Sequence, residues 1–209
     1  MGTVFWDVDT QQDFMRSSGK LYVPGSEEII PVLRKLTEHA HARGIRIVAS
    51  ADDHVPGHRE LSATPDWRET FPEHCMRGTP GQRKIEETTP RNPLVIEPEP
   101  QDPIALAARV RAHDGDILFH KHWFDVFTNP NVLPVVDALA PERIVLYGVA
   151  LDVCDKYAVE GLLRLRPGIA LTVLTDAVRA IHPATGVALL EDWGRRGVRL
   201  ASSADILTA

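Results

Sequence analysis

Short apolar runs rich in β-branched residues alternate along this chain with longer segments of helical periodicity. Within the runs, hydrophobic residues are continuous or alternate with polar ones, as in buried strands. Between them, apolar residues recur every three or four positions, as in helices with one buried face. Six runs predict strands, at 3–9, 45–51, 116–121, 143–149, 170–176 and 198–202. Because strands that alternate with helices form parallel sheets covered on both faces, we expect a three-layer α/β/α, Rossmann-like fold with a mainly parallel six-stranded sheet.

Capping residues mark where the predicted helices begin. Ser26 is expected to cap the first helix, Asp102 the second and Asn129 a short third one. A fourth helix is expected over about 152–166, and "PATGVALLEDWGRRG" predicts the last. Nothing divides the chain, so we expect one domain over 1–209, with a Pro- and Gly-rich insertion at about 52–101. A connector of that length is expected to carry function.

Composition excludes several classes of function. The net charge is −6, and no run of lysine and arginine offers neutralisation of several phosphates, so nucleic acid is not an expected partner. The apolar runs are shorter than the roughly 18 residues of a membrane span. The strand pattern begins at once, which leaves no room for a signal peptide, and two cysteines form no disulfide framework. We therefore expect a cytoplasmic protein.

Polar side chains stand at or just after the ends of four predicted strands: Asp9, Asp52, Lys121 and Cys154. In a parallel sheet these ends share one edge, where ligands bind. A thiol at the start of a helix has its pKa lowered by the helix dipole, and Lys121 would favour the thiolate further. Asp9 could accept the thiol proton, and backbone amides of "GVALDVC" could bind an oxyanion. Together they predict a nucleophilic centre for amide hydrolysis through a thioester, although each residue alone is as compatible with a structural role.

A second group of residues has the chemistry of a metal site. Asp52 and His54 are two residues apart in a loop after a strand, and His74 could complete a set of two histidines and a carboxylate. Asp53 and His58 are further candidates. The alternative is that these loop side chains are simply solvated.

Aromatic residues near the same edge could form the walls of a cavity for a flat substrate. They are Phe14, Trp123, Phe124 and Phe127. The alternative interpretation is core packing, which is expected for about half of them.

Taken in order, the segments "DTQQDFM", "LYVPGSEEIIP", "SADDHVPGH", "FPEHCMRGTPG", "FHKHWF" and "YGVALDVC" resemble motifs of the isochorismatase-like cysteine hydrolases. Within that superfamily they are most similar to metal-containing amidases of the nicotinamidase type. The resemblance covers most of the chain. It implies hydrolysis of the carboxamide of a small cyclic amide, with nicotinamide as the first candidate, and a homo-oligomeric assembly.

The resemblance also implies roles for individual residues. The implied catalytic residues are Asp9, Lys121 and Cys154, and the implied ligands of a divalent metal, usually zinc, are Asp52, His54 and His74. It further implies a cis peptide before Ala150, and oxyanion contacts from the amides of Ala150 and Cys154. Phe14 and Trp123 are the expected substrate contacts.

The chain departs from the nicotinamidase pattern at several positions. Asp53 stands where tryptophan is usual, Asp155 replaces an apolar residue after the cysteine, and "HWFDVFTNPN" replaces a serine- and glycine-containing segment. Asp155 is expected to point away from the sulfur, because a second anion would raise the pKa of the thiol. Asp7 shares the strand parity of Asp9 and is expected to be structural.

Two other functions therefore stay open at this stage. One is a related cysteine hydrolase that acts on another small amide or on a carbamoyl compound. The other is a non-catalytic homologue that serves as a binding or assembly subunit.

Overall fold

A single sheet of seven parallel strands forms the centre of this computed structural model, which describes residues 2–208. The strands are β1 (Thr3–Val8), β2 (Ile47–Asp52), β3 (Leu94–Ile96), β4 (Ile117–Lys121), β5 (Arg143–Val149), β6 (Ala170–Arg179) and β7 (Arg199–Ala201). Their spatial order is β3-β4-β2-β1-β5-β6-β7. The strand order reverses at β1, so the expected ligand position lies beyond the carboxyl ends of β1 and its neighbours.

Helices cover both faces of the sheet, which confirms the predicted α/β class. Their bounds are α1 (Gln12–Met15), α2 (Ser26–Arg43), α3 (Pro103–Ala112), α4 (Val132–Leu139), α5 (Cys154–Leu165), α6 (Pro183–Arg195) and α7 (Ser203–Leu207). Successive strand side chains point to opposite faces, so Trp6 and Leu146 enter the core under α3 to α6, while Phe5 and Tyr147 enter the core under α2. No helix within residues 2–208 combines the length and apolar character needed to cross a membrane.

The predicted strand count is wrong by one, because β3 lies inside the 52–101 insertion. Its three residues are too few to show a periodicity, and β3 is specified by pairing with β4, where Leu94 lies opposite Ile117. The rest of the insertion is held by isolated bridges such as His54 to Met76 and by short 3-10 turns.

One of the three predicted helix caps is confirmed and two are wrong. Asp102 accepts a hydrogen bond from the Ala105 N–H at 2.8 Å and caps α3. Ser26 is instead the first residue of α2, and its hydroxyl donates to the Phe14 carbonyl at 2.9 Å. Asn129 lies before the N-cap of α4 and donates to carbonyls at the ends of β3 and β4. The side chains of Ser26 and Asn129 thus form tertiary hydrogen bonds instead of capping their helices.

Packing of α5 on the segment after β4 leads to a first prediction. A Cβ atom on Gly161 would lie 2.1 Å from Cε2 of Phe127, so this partly buried phenylalanine packs on the helix against the core. Gly161→Ala is expected to lower the free energy of unfolding by about 1–3 kcal/mol in urea denaturation, because the ring has to move. Gly168→Ala is the control, since no atom lies within 4 Å of its Cβ position. Equal stability of the two variants would contradict this packing.

Candidate active site

The four polar residues at the strand ends meet in one buried cluster. Asp9 directly follows β1 and adopts a left-handed backbone conformation with φ of 48°. Its carboxylate accepts a hydrogen bond from the Ser50 hydroxyl at 2.7 Å, which fixes its orientation. Asp52 and Lys121 end the adjacent strands β2 and β4 and are paired in register. Cys154 is the first residue of α5, and all of these side chains are buried.

Lys121 lies at the centre of this cluster. Its ammonium forms ion pairs with Asp9, at 2.9 Å from Oδ2, and with Oδ1 of Asp52. The same nitrogen lies 3.8 Å from the sulfur of Cys154. Burial lowers the pKa of Lys121, but the charges of Asp52 and Asp9 outweigh it and raise that pKa well above the usual value. Lys121 is therefore a permanent cation between two carboxylates.

The expected lowering of the Cys154 pKa is wrong. Burial raises the pKa of the thiol well above its usual value, and the nearby charges of Asp9 and Asp52 act in the same direction. Lys121 opposes them without outweighing them. The sulfur is therefore protonated at rest. This arrangement favours transfer of the proton to Asp9 during attack over a preformed thiolate.

A second buried cluster adjoins the first through Asp52. His54 and His74, the two histidines expected from the sequence, lie beside the free oxygen of Asp52, and Glu60 closes the group. His74 Nε2 lies 3.6 Å from Asp52 Oδ2 and 3.5 Å from Glu60 Oε1. The corresponding distances from His54 Nε2 are both 4.0 Å.

The chemistry of this donor set fits a divalent metal such as zinc. Asp52 Oδ2, His54 Nε2, His74 Nε2 and Glu60 Oε2 are buried without any hydrogen-bond partner. Buried polar atoms are normally paired, so the orphaned atoms Asp52 Oδ2, His54 Nε2 and His74 Nε2 around one point indicate a missing positive partner. Ligands of tetrahedral zinc lie roughly 3.3–3.5 Å apart, close to the spacing found here.

Neighbouring groups orient these side chains. His74 donates from Nδ1 to the Pro72 carbonyl at 2.7 Å, which directs Nε2 into the cluster. Gln11 accepts from the Asp52 N–H at 2.7 Å and donates to the Asp52 carbonyl at 2.8 Å. The buried glutamine thereby fixes the backbone of the residue that joins the two clusters.

Sequence reasoning missed Glu60 and Gln11. Glu60 lies in an irregular segment of the insertion, where no periodicity predicts which way a side chain points. The available signal was only that it is an acid between His54 and His74. Gln11 is part of "DTQQDFM", but nothing in that segment indicates that its amide reaches across to β2.

The two spare metal candidates lie outside the buried cluster. Asp53 points to the other side of the strand end, where Arg77 binds its carboxylate through two nitrogens. His58 lies behind His54, with the two Nδ1 atoms 3.3 Å apart.

A cavity opens onto both clusters. Asp52, Glu60, His74, Ala150 and Cys154 line its polar end. Its remaining walls are apolar and include Phe14, Leu21, Phe71, Phe124, Val153 and Ile181.

Of the two residues expected to contact substrate, Phe14 lines the cavity and Trp123 does not. Trp123 lies outside the cavity and packs against Phe124, with ring centroids 4.3 Å apart. The guanidinium of Arg59 covers it, 3.7 Å from the ring centre. Phe71, which the sequence did not single out, takes part in the cavity wall instead.

The turn before Cys154 has the expected backbone geometry. The peptide between Val149 and Ala150 is cis, as the resemblance implies. Backbone carbonyls accept hydrogen bonds from the N–H groups of Leu151, Val153 and Asp155. None of these turn bonds uses the N–H of Ala150 or Cys154, the two amides expected to bind an oxyanion.

Asp155 is fully buried, and neither of its carboxyl oxygens has a hydrogen-bond partner. Asp155 therefore makes no hydrogen bond with the sulfur of Cys154, the preceding residue. Burial raises the pKa of Asp155 well above its usual value, and the charges of Asp9 and Asp152 add to this shift.

Asp7, the other unexplained acid, has a structural role. Its carboxylate pairs with Lys84 at 3.0 Å and accepts a hydrogen bond from the Thr10 hydroxyl at 2.8 Å.

Asp155→Asn is expected to raise the free energy of unfolding at pH 7. The folded protein retains the Asp155 proton at pH values where the unfolded chain has lost it, so this group makes stability fall as pH rises above about 4. The variant lacks this pH dependence. In urea denaturation, the difference in unfolding free energy between the variant and the wild type should therefore shrink as the pH approaches 4. Asp114→Asn, at an exposed position, is the control. A constant difference between variant and wild type from pH 4 to 8 would contradict a buried neutral Asp155.

Comparison with known proteins gives the family. The Isochorismatase domain model matches residues 4–205. The chain belongs to the isochorismatase domain family.

Its relatives include amidases. This isochorismatase-family chain is 27% identical over 203 residues to a nicotinamidase/pyrazinamidase of Mycobacterium tuberculosis, covering 94% of this chain and 96% of the relative. The fold is shared with the pyrazinamidase of Pyrococcus horikoshii in complex with zinc, with a TM-score of 0.74, 23% identity and coverage of 97% and 99% of the two chains. It is also shared with the N-carbamoylsarcosine amidase of Thermoplasma acidophilum, with a TM-score of 0.71, 23% identity and coverage of 97% of each chain.

Proposed function

We propose that this protein is a metal-containing cysteine amidase that hydrolyses the carboxamide of a small cyclic amide, with nicotinamide as the first candidate. One observation carries the proposal. A single cavity places the Cys154 thiol and the unpartnered donor atoms of Asp52 and His74 around the same space. A nucleophile and a candidate metal site on one cavity favour catalysis over a purely structural role.

The shape and chemistry of the cavity support a flat, mostly apolar substrate. Phe14, Phe71 and Phe124 contribute aromatic walls, which suit stacking or edge contacts with a ring. Charged and thiol groups line only the end beside Cys154. A ring substituent bearing a carboxamide would therefore meet the polar end, and the ring itself would lie among apolar side chains.

In the first half of the proposed reaction, the sulfur of Cys154 forms a bond to the amide carbon while its proton passes to Asp9. Negative charge that develops on the amide oxygen is accepted by the N–H groups of Ala150 and Cys154. Asp9, now protonated, donates this proton to the leaving nitrogen. The carbon–nitrogen bond breaks, ammonia leaves, and a thioester on Cys154 remains.

In the second half, Asp9 accepts a proton from a water molecule as the water oxygen attacks the thioester carbon. The carbon–sulfur bond breaks, the proton returns to the sulfur, and the carboxylic acid product is released. Lys121 stays charged throughout and stabilises the anionic form of Asp9, which lies 2.9 Å from its ammonium. The sum of the two halves is hydrolysis of an amide to an acid and ammonia.

Asp52, His54, Glu60 and His74 would hold the metal. The ion would supply a positive charge at the wall of the cavity, suited to a ring nitrogen or a water. Zinc is the first candidate because two nitrogen and two carboxylate donors suit it, and because a zinc complex is described for the pyrazinamidase of Pyrococcus horikoshii.

The proposal is tested by ammonia release from nicotinamide, pyrazinamide and N-carbamoylsarcosine with wild-type protein, Asp9→Asn and the exposed control Asp114→Asn. We expect nicotinamide to be hydrolysed, and Asp9→Asn to lower kcat by about 100- to 10,000-fold because an amide cannot accept the thiol proton. Preference for N-carbamoylsarcosine would instead identify a carbamoyl hydrolase with the same centre. Absence of ammonia from every compound, or full activity of Asp9→Asn, would overturn the proposed function.

A further inference from the structure

A second group of metal-ligating side chains lies at the ends of three neighbouring strands, outside the cavity. Asp53 follows β2, Glu97 follows β3, His120 lies in β4 and His122 follows it. His120 Nδ1 is 3.0 Å from Glu97 Oε2 and 3.9 Å from Asp53 Oδ2. His122 Nε2 is 3.8 Å from the same Asp53 oxygen.

This spacing matches that of the buried cluster around Asp52. The donor distances are 3.0–3.9 Å here and 3.5–4.0 Å there. The ligand atoms of Asp53, Glu97 and His120 lie within 4.8 Å of one another, and one imidazole nitrogen with two carboxylates suits zinc and similar divalent ions. His122 Nε2 is also buried without a hydrogen-bond partner, although its ring is partly exposed.

The charges of this group leave room for a cation. Arg77 balances the charge of Asp53, and the Gln82 amide donates to Asp53 Oδ1 at 2.5 Å. Glu97 has no cationic partner other than His120 among the ion pairs of residues 2–208. The Arg77 side chain is 54% exposed, so it has space to move away from Asp53 Oδ2 when an ion binds.

We propose that Asp53, Glu97 and His120 bind a second divalent cation of the zinc type, which joins the ends of β2, β3 and β4. The two sites are adjacent but separate. His58 lies between them, with its ring 4.2 Å from that of His122 and its Nδ1 3.3 Å from that of His54.

The sequence departures described above converge on this site. Asp53 replaces the usual tryptophan, and His122 opens the altered segment "HWFDVFTNPN". Neither departure has a part in the proposed amide hydrolysis. A cation on Asp53, with His122 Nε2 3.8 Å from that carboxylate, places both departures at a cross-link at the edge of the sheet that carries Lys121.

The test is the zinc stoichiometry of the full chain, so it does not depend on hydrolysis of any amide. Metal-depleted protein is dialysed to equilibrium against Zn²⁺ alone, and bound zinc is counted by mass spectrometry. The variants are Glu97→Gln combined with His120→Gln for the second site, and His74→Ala for the buried cluster. His113→Gln is the control, because this histidine belongs to the same stretch of chain but bonds to the Asn92 carbonyl. Circular dichroism verifies that each variant is folded.

We expect two equivalents of zinc in the wild type and in His113→Gln, and one equivalent in each of the other two variants. A single equivalent in the wild type that only His74→Ala removes would overturn the second site and leave the proposed amidase intact. Retention of two equivalents by the Glu97 and His120 double variant would also overturn it. One equivalent removed only by the double variant would support this site and contradict the buried cluster.

Discussion

Cys154→Ala is expected to lower kcat for amide hydrolysis by at least about 1,000-fold, because among residues 2–208 Cys154 supplies the only thiol or hydroxyl group that lines the cavity. Alanine leaves Asp9, Lys121 and the metal-ligand set in place, so binding of the substrate should persist. The measurement is ammonia release over a range of nicotinamide concentrations, combined with mass spectrometry of quenched reactions. The wild type should show a covalent adduct with the mass of the acyl group, and the variant should show none.

Cys75→Ala is the matched control for this experiment. Cys75 is the only other cysteine and is also buried, but its sulfur lies 3.9 Å from the Gly81 carbonyl and outside the cavity. It should keep most of the activity and still form the adduct. An active Cys154→Ala protein, or an adduct that moves to Cys75, would remove Cys154 from the reaction.

Lys121→Met is expected to cost about 3–5 kcal/mol of unfolding free energy and to abolish activity. Methionine has a similar volume but no charge, so Asp9 and Asp52 would face each other buried and unpaired. Protonation of Asp9 or Asp52 would avoid part of that cost in unfolding free energy. A protonated Asp9 could no longer accept the thiol proton. Urea denaturation measures the stability, and ammonia release measures the activity.

Lys35→Met provides the comparison, because Lys35 is exposed on α2 and its replacement should change stability by less than about 0.5 kcal/mol. Addition of Zn²⁺ separates two effects in the Lys121 variant. If the ion at the buried cluster compensates Asp52, zinc should recover part of the stability without recovering activity. Full activity of Lys121→Met would show that Asp9 needs no cation beside it.

The coupling of the two buried clusters follows from the position of Asp52. One of its oxygens pairs with Lys121, and the other faces His54 and His74. Burial would raise the pKa of Asp52, but Lys121 and the two histidines outweigh it and hold that pKa below its usual value. A single carboxylate thus connects the centre proposed to attack the amide with the centre that would hold the metal.

The sequence alone determined the class of the fold and the end of the sheet where the site lies. Alternation of strands and helices requires parallel strands, and parallel strands bring their carboxyl ends to one edge. For this reason Asp9, Asp52, Lys121 and Cys154 could be expected together before any coordinates. The strand β3 could not be predicted in this way. Its three residues are too few to show a hydrophobic periodicity, and only their pairing with β4 defines them as a strand.

Only the tertiary structure decided the environment of each group. The helix start predicts a lowered pKa for Cys154, but burial and two carboxylates reverse the direction. Glu60, Phe71 and Gln11 enter the site from irregular segments, and Trp123 is turned out of it. The physical reason is that periodicity specifies which face of a strand or helix is buried, whereas the direction of a loop side chain and its desolvation depend on everything packed around it.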